Sequence, residues 1–363
     1  MESVVQQDGD DDPERLFLNS IKSKATKHHY LVYLQKYLEF ANCKTINDLM
    51  VKFNDQKDIE RKVIHFIIQL KEEGKNFRSI RNYLTPIISF YKINDIMLNS
   101  KKINKFMPTE TRAKKNRGYE HEEVRKLLDI TDERMRAVIL LLVSCGCRIG
   151  AIPTLHVRDI EISGDVYKIT IYENDAEEYF SFITKEAYDA IQSYLQMRER
   201  FGEKLSPDSL LIREQFDIRD PFAITSPKPV VARTLSNKIA QLAERAGIRE
   251  KTILKEGQKP GSFRKSIPQV HGLRKAFSTF ALNSKMDIIK RRMLEGHSVG
   301  IDEHYCKPSE EDLQEEYMKA ADNLTINEEN RLKRKVEMLT IEKSKVDQAL
   351  SDIQDMKTRL GLT

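Results

Sequence analysis

Val166-Tyr-Lys-Ile-Thr-Ile-Tyr172, the polar Glu173-Asn-Asp-Ala-Glu-Glu178 and Tyr179-Phe-Ser-Phe-Ile183 make up a stretch whose hydrophobic period is two. Alternation on both sides of a short polar turn predicts an antiparallel β-hairpin. On either side of it the period changes. Apolar residues recur every three or four positions, so helices are expected over residues 120–130, 133–145, 185–200, 232–246, 272–284 and 288–295. One hairpin inside a helical array implies an α-rich unit with a small antiparallel sheet, placed at residues 119–325.

Upstream, the pattern is helical throughout. Residues 16–41 carry Tyr30, Leu31, Leu34, Tyr37, Leu38 and Ala41 on one face. A second helix over 59–73 buries Val63, Ile64, Phe66, Ile67 and Leu70, and Gly74 suits its left-handed C-cap. A third covers 77–94, with Pro86 expected to kink it. No strand signal precedes residue 100, so residues 16–100 read as an all-helical domain. Residues 101–118 are basic, contain Pro108 and end on Gly118, which predicts an interdomain linker. Residues 1–15, with Asp8, Asp10, Asp11, Asp12 and Glu14, read as an acidic disordered tail.

Downstream, over 326–363, Leu332, Val336, Leu339, Val346, Leu350, Ile353 and Leu360 fall at heptad a and d positions, with Lys343 and Lys357 at two a positions. This predicts a C-terminal helix that either forms a coiled coil or packs on the body. A length of 363 residues suits two domains plus such an appendage. No apolar run approaches the roughly 18–20 residues of a membrane span. The acidic N-terminus lacks the order of a secretory signal, so a cytoplasmic, nucleoid-associated protein is expected. Cys43, Cys145, Cys147 and Cys306 suit neither a disulfide framework nor a zinc knuckle, and no metal or cofactor is expected. The net charge is only +5, but residues 101–117 and 249–275 concentrate basic side chains, as a phosphate-facing surface does.

Three short motifs carry the chemistry. Ser144-Cys-Gly-Cys-Arg-Ile-Gly-Ala-Ile152 places Arg148 just after a glycine turn. His271-Gly-Leu-Arg274 sets two polar groups one helical turn apart on one face. Leu294-Glu-Gly-His-Ser298 is followed, eight residues after His297, by Tyr305. Each motif alone is common; their order around a hairpin is not. Over residues 16–325 that order resembles the tyrosine recombinase and integrase family. The resemblance implies a helical core-binding domain, a catalytic domain of the tyrosine recombinase fold, and action as a homo-tetramer on double-stranded DNA attachment sites. Tyr179-Phe-Ser-Phe-Ile-Thr184 and His304-Tyr-Cys-Lys-Pro308 are most similar to integrases of archaeal viruses and integrated elements.

The chemistry explains these residue types. In-line attack on a phosphodiester concentrates negative charge on its non-bridging oxygens, which two guanidiniums, Arg148 and Arg274, are suited to bind in bidentate fashion. Tyr305 is the expected nucleophile. A phenol with pKa about 10 needs a proton acceptor, for which His271 is the natural candidate, while His297 hydrogen-bonds the phosphate. The resemblance implies a 3′-phosphotyrosine and a free 5′-hydroxyl. It also implies a general-acid lysine on the hairpin turn, near Ala176, where this chain has none. Lys168 and Lys185 flank the hairpin, and Lys168 is the preferred substitute. Ala151 stands where many members have an acidic residue. Tyr317 is the rival nucleophile, disfavoured by its acidic surroundings.

Lys24, Lys27, His28, Arg78 and Arg81 of the first domain, and Lys114, Lys115, Arg117 and Lys275 near the second, are candidate DNA contacts. Two readings from different classes follow. One is an active recombinase; the other is a catalytically inactive recombinase-like DNA-binding protein, favoured by the missing turn lysine. A type IB topoisomerase is a third, disfavoured by the core-binding domain.

Overall fold

The computed structural model describes residues 12–53, 55–110, 116–249, 267, 269–300 and 308–359, and the chain divides into two units, 1–113 and 114–363. The first unit holds helices α1 (Pro13–Asn19), α2 (Lys24–Ala41), α3 (Asp48–Lys52), α4 (Gln56–Glu72), α5 (Phe77–Ile93) and α6 (Ser100–Asn104). The single helix expected over 16–41 is thus two. Ser20 Oγ donates to the Phe17 carbonyl at 2.7 Å, which closes α1, and Ser23 caps α2. Short polar side chains compete with the backbone in this way wherever a helix must end.

The apolar faces of α1, α2, α4 and α5 converge on Phe17, Leu34, Tyr37, Phe66, Leu70 and Phe90, all fully buried. Phe17 lies against both Tyr30 and Phe90, and Tyr33 meets Tyr83, so α2 and α5 run antiparallel. The linker expected over 101–118 begins later than its composition suggests. Ile103 is fully buried in this core, and Lys102 Nζ sits 2.8 Å from the carboxylate of buried Glu60. Ile103, with this ion pair, anchors α6 on the unit.

The second unit contains α7 (His121–Asp129), α8 (Glu133–Cys145), 3₁₀ turns at Ile149–Thr154 and Val157–Asp159, β1 (Ile160–Ser163), β2 (Val166–Ile171) and β3 (Tyr179–Ile183). There follow α9 (Lys185–Arg200), α10 (Pro221–Thr225), α11 (Ala232–Arg245), α12 (His271–Asn283), α13 (Ile288–Leu294), α14 (Glu310–Leu324) and α15 (Glu328–Arg359). Helix α8 is the hub. Residues 137–145 are buried on every side, against α7, α9, α12, α14 and β3, as a helix apolar all round must be. The sheet is antiparallel in the order β1-β2-β3, with Lys168 of β2 opposite Glu161 and Phe182. β1 escaped the sequence reading because it is four residues long and its Ile162 is 78% exposed. Among the described residues, no helix is long and apolar enough to cross a membrane.

A buried ionic triad fixes the long connection after α9. Glu203 accepts from Arg198 Nε at 3.0 Å and from Arg213 Nη1 at 2.7 Å, with all three side chains at most 3% exposed. The guanidiniums also donate to the Leu210, Leu211 and Ile224 carbonyls. Both arginines hold the Glu203 carboxyl below its ordinary range, against the opposing effect of burial. Removing the one carboxylate strands two buried cations. Glu203→Ala is therefore expected to destabilise the second unit by about 3–5 kcal/mol, read as a lowered urea midpoint.

Candidate active site

Helix α8 stops at Gly146, whose φ of 64° is left-handed. A Cβ there would lie 2.4 Å from the Phe277 ring, so only glycine allows the turn and the packing together. The chain then reverses, bringing Arg148 to the N-cap position of the following 3₁₀ turn with its side chain exposed. Cys145 and Cys147, on either side of the turn, are buried.

Helix α12 supplies His271 and, one turn later, Arg274. The Arg274 side chain is buried, and its fork is filled. Nη1 donates to the Gly146 carbonyl at 2.7 Å, and Nη2 donates to the Glu295 carbonyl at 2.7 Å and lies 2.9 Å from His297 Nε2. Arg148 Nη1 donates to the Gly296 carbonyl at 3.4 Å. Both guanidiniums therefore attach to the turn after α13. Gly296 makes that turn with φ 65°, and a Cβ on it would come within 2.3 Å of Tyr179 on β3. The hairpin and the Gly-His turn are in direct contact.

Glu295, 2% exposed, was not singled out by the sequence. Its carboxylate accepts from Ser278 Oγ and from Arg291 Nη1, the latter at 3.2 Å, and lies 3.9 Å from His297 Nε2. It supplies an acidic buttress beneath the site from a different position, where Ala151 is fully buried and inert. The signal available was its place directly before Gly-His, four residues after Arg291.

Arg148, Lys168 and His297 line one open cleft of about 750 Å³, with Thr170 and Tyr179 from the sheet and Met293 from α13. Lys168 Nζ is 2.6 Å from Glu310 Oε2 and stands over the Phe180 ring at 5.1 Å. The hairpin turn also faces this cleft, through Ala176, Glu177 and Glu178. Lys185 is paired with Asp189 at 2.7 Å instead.

Tyr305 lies outside the described residues, as do Lys114 and Lys115. Tyr317 is fully buried; its hydroxyl donates to the Ser144 carbonyl at 2.9 Å, and burial raises its pKa. That phenol is a core hydrogen bond under α8, out of reach of a phosphate. Of the candidate DNA contacts, Lys24 and His28 are exposed and Lys27 partly so, at the start of α2, whereas exposed Arg78 and Arg81 begin α5. Because the two helices are antiparallel, these groups lie toward opposite ends of the pair. Arg117 forms a two-pronged pair with Glu123, both contacts at 2.6 Å, and Lys275 donates to the Asn116 carbonyl at 3.0 Å. Both hold the entry of the second unit in place.

The site is electropositive. Burial, then the neighbouring Lys275 and Arg274 charges, lower the pKa of His271; burial, then Arg274, lower that of His297. Both imidazoles are therefore neutral at neutral pH. His271 is left able to take a proton, and His297 Nε2 can accept from Arg274 while Nδ1 donates elsewhere.

A model of the phage integrase family matches residues 118–309. That is more than half of the chain, and the chain belongs to this family. Its fold is similar to that of the XerH site-specific recombinase bound to palindromic difH substrate, with TM-score 0.53 and 17% identity over 86% of this chain and 80% of that one. It is also similar to the Tn1549 transposon integrase in complex with transposon right end DNA, with TM-score 0.53 and 14% identity over 85% and 99% of the two chains. A lambda integrase dimer bound to a COC′ core site gives TM-score 0.51 and 14% identity over 82% and 96%. The fold is that of a tyrosine recombinase. No curated protein matches the sequence.

Imidazole proton resonances followed by NMR should titrate below the ordinary value of 6.5 for both His271 and His297. Arg274→Met should move His297 upward, because a positive neighbour is removed. An unmoved His297 would contradict the contact between the two.

Proposed function

We propose that the chain is a site-specific DNA recombinase that cuts and rejoins strands through a 3′-phosphotyrosyl intermediate. The observation that carries this reading is the shared cleft of Arg148, Lys168 and His297, with Arg274 fixed 2.9 Å from His297. The scissile phosphate binds against Arg148, His297 Nδ1–H adds a hydrogen bond, and Arg274 reaches it only by exchanging its contact with His297 for a phosphate oxygen. Tyr305 attacks phosphorus and passes its proton to His271. The 5′-oxygen leaves with a proton from Lys168, which must part from Glu310 to deliver it. A second 5′-hydroxyl reverses the step, so the energy of the ester bond is retained.

The flanks of the 301–307 segment support Tyr305 as nucleophile. Val299 lines the cleft before it, and Glu310 reaches Lys168 after it. Lys24, Lys27, His28, Arg78 and Arg81 serve as phosphate contacts of the first unit, and the basic sequence around Lys114 and Lys115 adds two further candidates. Assembly is as a tetramer on two attachment sites, supplemented by self-association through α15. The residues around Tyr179 and Tyr305 favour an integrase of an archaeal mobile element, acting in the cytoplasm on the nucleoid.

A specific observation favours a second reading, an inactive DNA binder. The hairpin turn presents Ala176, Glu177 and Glu178 to the cleft, and the remaining lysine is held by a carboxylate. Nicked suicide duplexes, selected by binding from a random-sequence pool, separate the two. The active reading expects a covalent adduct that Tyr305→Phe abolishes. Tyr317→Phe should keep the adduct and lose only about 1 kcal/mol of stability. Lys168→Ala should slow cleavage by about 10²- to 10⁴-fold, with a 5′-bridging sulfur restoring the rate, since a thiolate leaves without a proton. Binding without any adduct would establish the inactive reading.

A further inference from the structure

Helix α15 is 32 residues long, and among its described side chains those packed on the body lie at its start. Arg334 reaches Asp322 at 3.5 Å and Met318 at 3.4 Å on α14. From Lys335 onward, every described side chain of the helix is exposed. Leu332, Val336, Leu339, Val346, Leu350 and Ile353 form one stripe along it and are 51–62% exposed. A helix wholly in water is marginal, and an apolar stripe of this length has no reason to stay uncovered. Among the described residues, nothing of the second unit covers it.

We propose that this stripe is covered by the same helix of a second chain, running antiparallel. The order of the seam residues selects both the occupant and the direction. In a parallel pair, identical a positions face each other, which stacks Lys343 on Lys343 in the middle of the seam. Two ammonium groups would share one buried layer. Reversing one helix pairs a with d positions instead. Centred between Ser344 and Lys345, the reversal sets Val336 against Ile353, Leu339 against Leu350, and Lys343 against Val346. Every lysine layer then meets an aliphatic side chain, past which the ammonium extends to water.

The seam is therefore complementary to its own reverse. That is the property an isologous two-fold contact requires, in which each residue pair occurs twice. An unrelated partner helix would need no such symmetry. Along the flanks, the antiparallel pair places e beside e′, so Asp347 lies near Thr340 and Lys333 near Gln354, without like-charge contacts. This inference does not depend on the cleavage reaction, since it concerns only how two chains associate.

Full-length chains carrying Cys43→Ser and Cys306→Ser provide the test, with one further cysteine placed in the seam. Under mild oxidation, a mixture of Val336→Cys and Ile353→Cys chains should cross-link, while Val336→Cys alone should not. In sedimentation of the otherwise unaltered chain, Leu350→Glu should raise the dimer dissociation constant by about 100-fold or more, since it buries a carboxylate twice per dimer. Cross-linking of Val336→Cys with itself would overturn the antiparallel direction. A monomer at all concentrations, or a dimer indifferent to Leu350→Glu, would overturn the seam itself. Suicide-substrate cleavage is read separately, so failure of one proposal leaves the other standing.

Discussion

The site depends on one buried guanidinium. Arg274 is nearly without solvent, so its donors need fixed acceptors, and it finds them in the carbonyls of two glycine-containing turns and in His297 Nε2. Gly146 ends α8 and precedes Arg148; the Glu295 carbonyl precedes Gly296 and His297. A cation that is costly to bury unpaired thereby specifies the distance between the two turns. Arg148 and His297 follow from that distance, since each is within two residues of a carbonyl that Arg274 holds.

Glycine makes the arrangement possible in a second sense. At both turns the backbone is left-handed, and at both a side chain would strike an aromatic ring, Phe277 in one case and Tyr179 in the other. The rings belong to α12 and β3. The same two positions thus join the turns to the helix that carries His271 and Arg274 and to the sheet that carries Lys168. Packing and the placement of the candidate site residues are enforced by the same contacts.

Charge is arranged with comparable economy. Partial desolvation and the arginine beside them lower the pKa of both histidines, whose rings remain exposed, whereas the carboxylate of Glu295 lies beneath the site and not in the cleft. On the opposite wall, Lys168 is held by Glu310 at the start of α14, and the hairpin turn contributes two further carboxylates. Lys168 therefore stands in the cleft as a neutralised cation, paired with a carboxylate that a competing anion could replace.

Legible along the chain are the helical first unit, the hairpin in the second, the hub helix α8 to the residue, and the order Arg148, His271, Arg274, His297. These were legible because period, capping and glycine placement act over a few residues. Tertiary structure decided the rest. Tyr317 and Lys185 are open alternatives in the sequence; in the structure Tyr317 is buried on Ser144, and Lys168, not Lys185, is the lysine that lines the cleft. Ile103 looked like linker until a core received it, and β1 was too short to alternate visibly. Glu295 and the carbonyl of Gly146 bear on the site only because Arg274, distant in the chain, is buried between them. Which donor meets which acceptor is a property of three-dimensional closure, and local pattern contains no record of it.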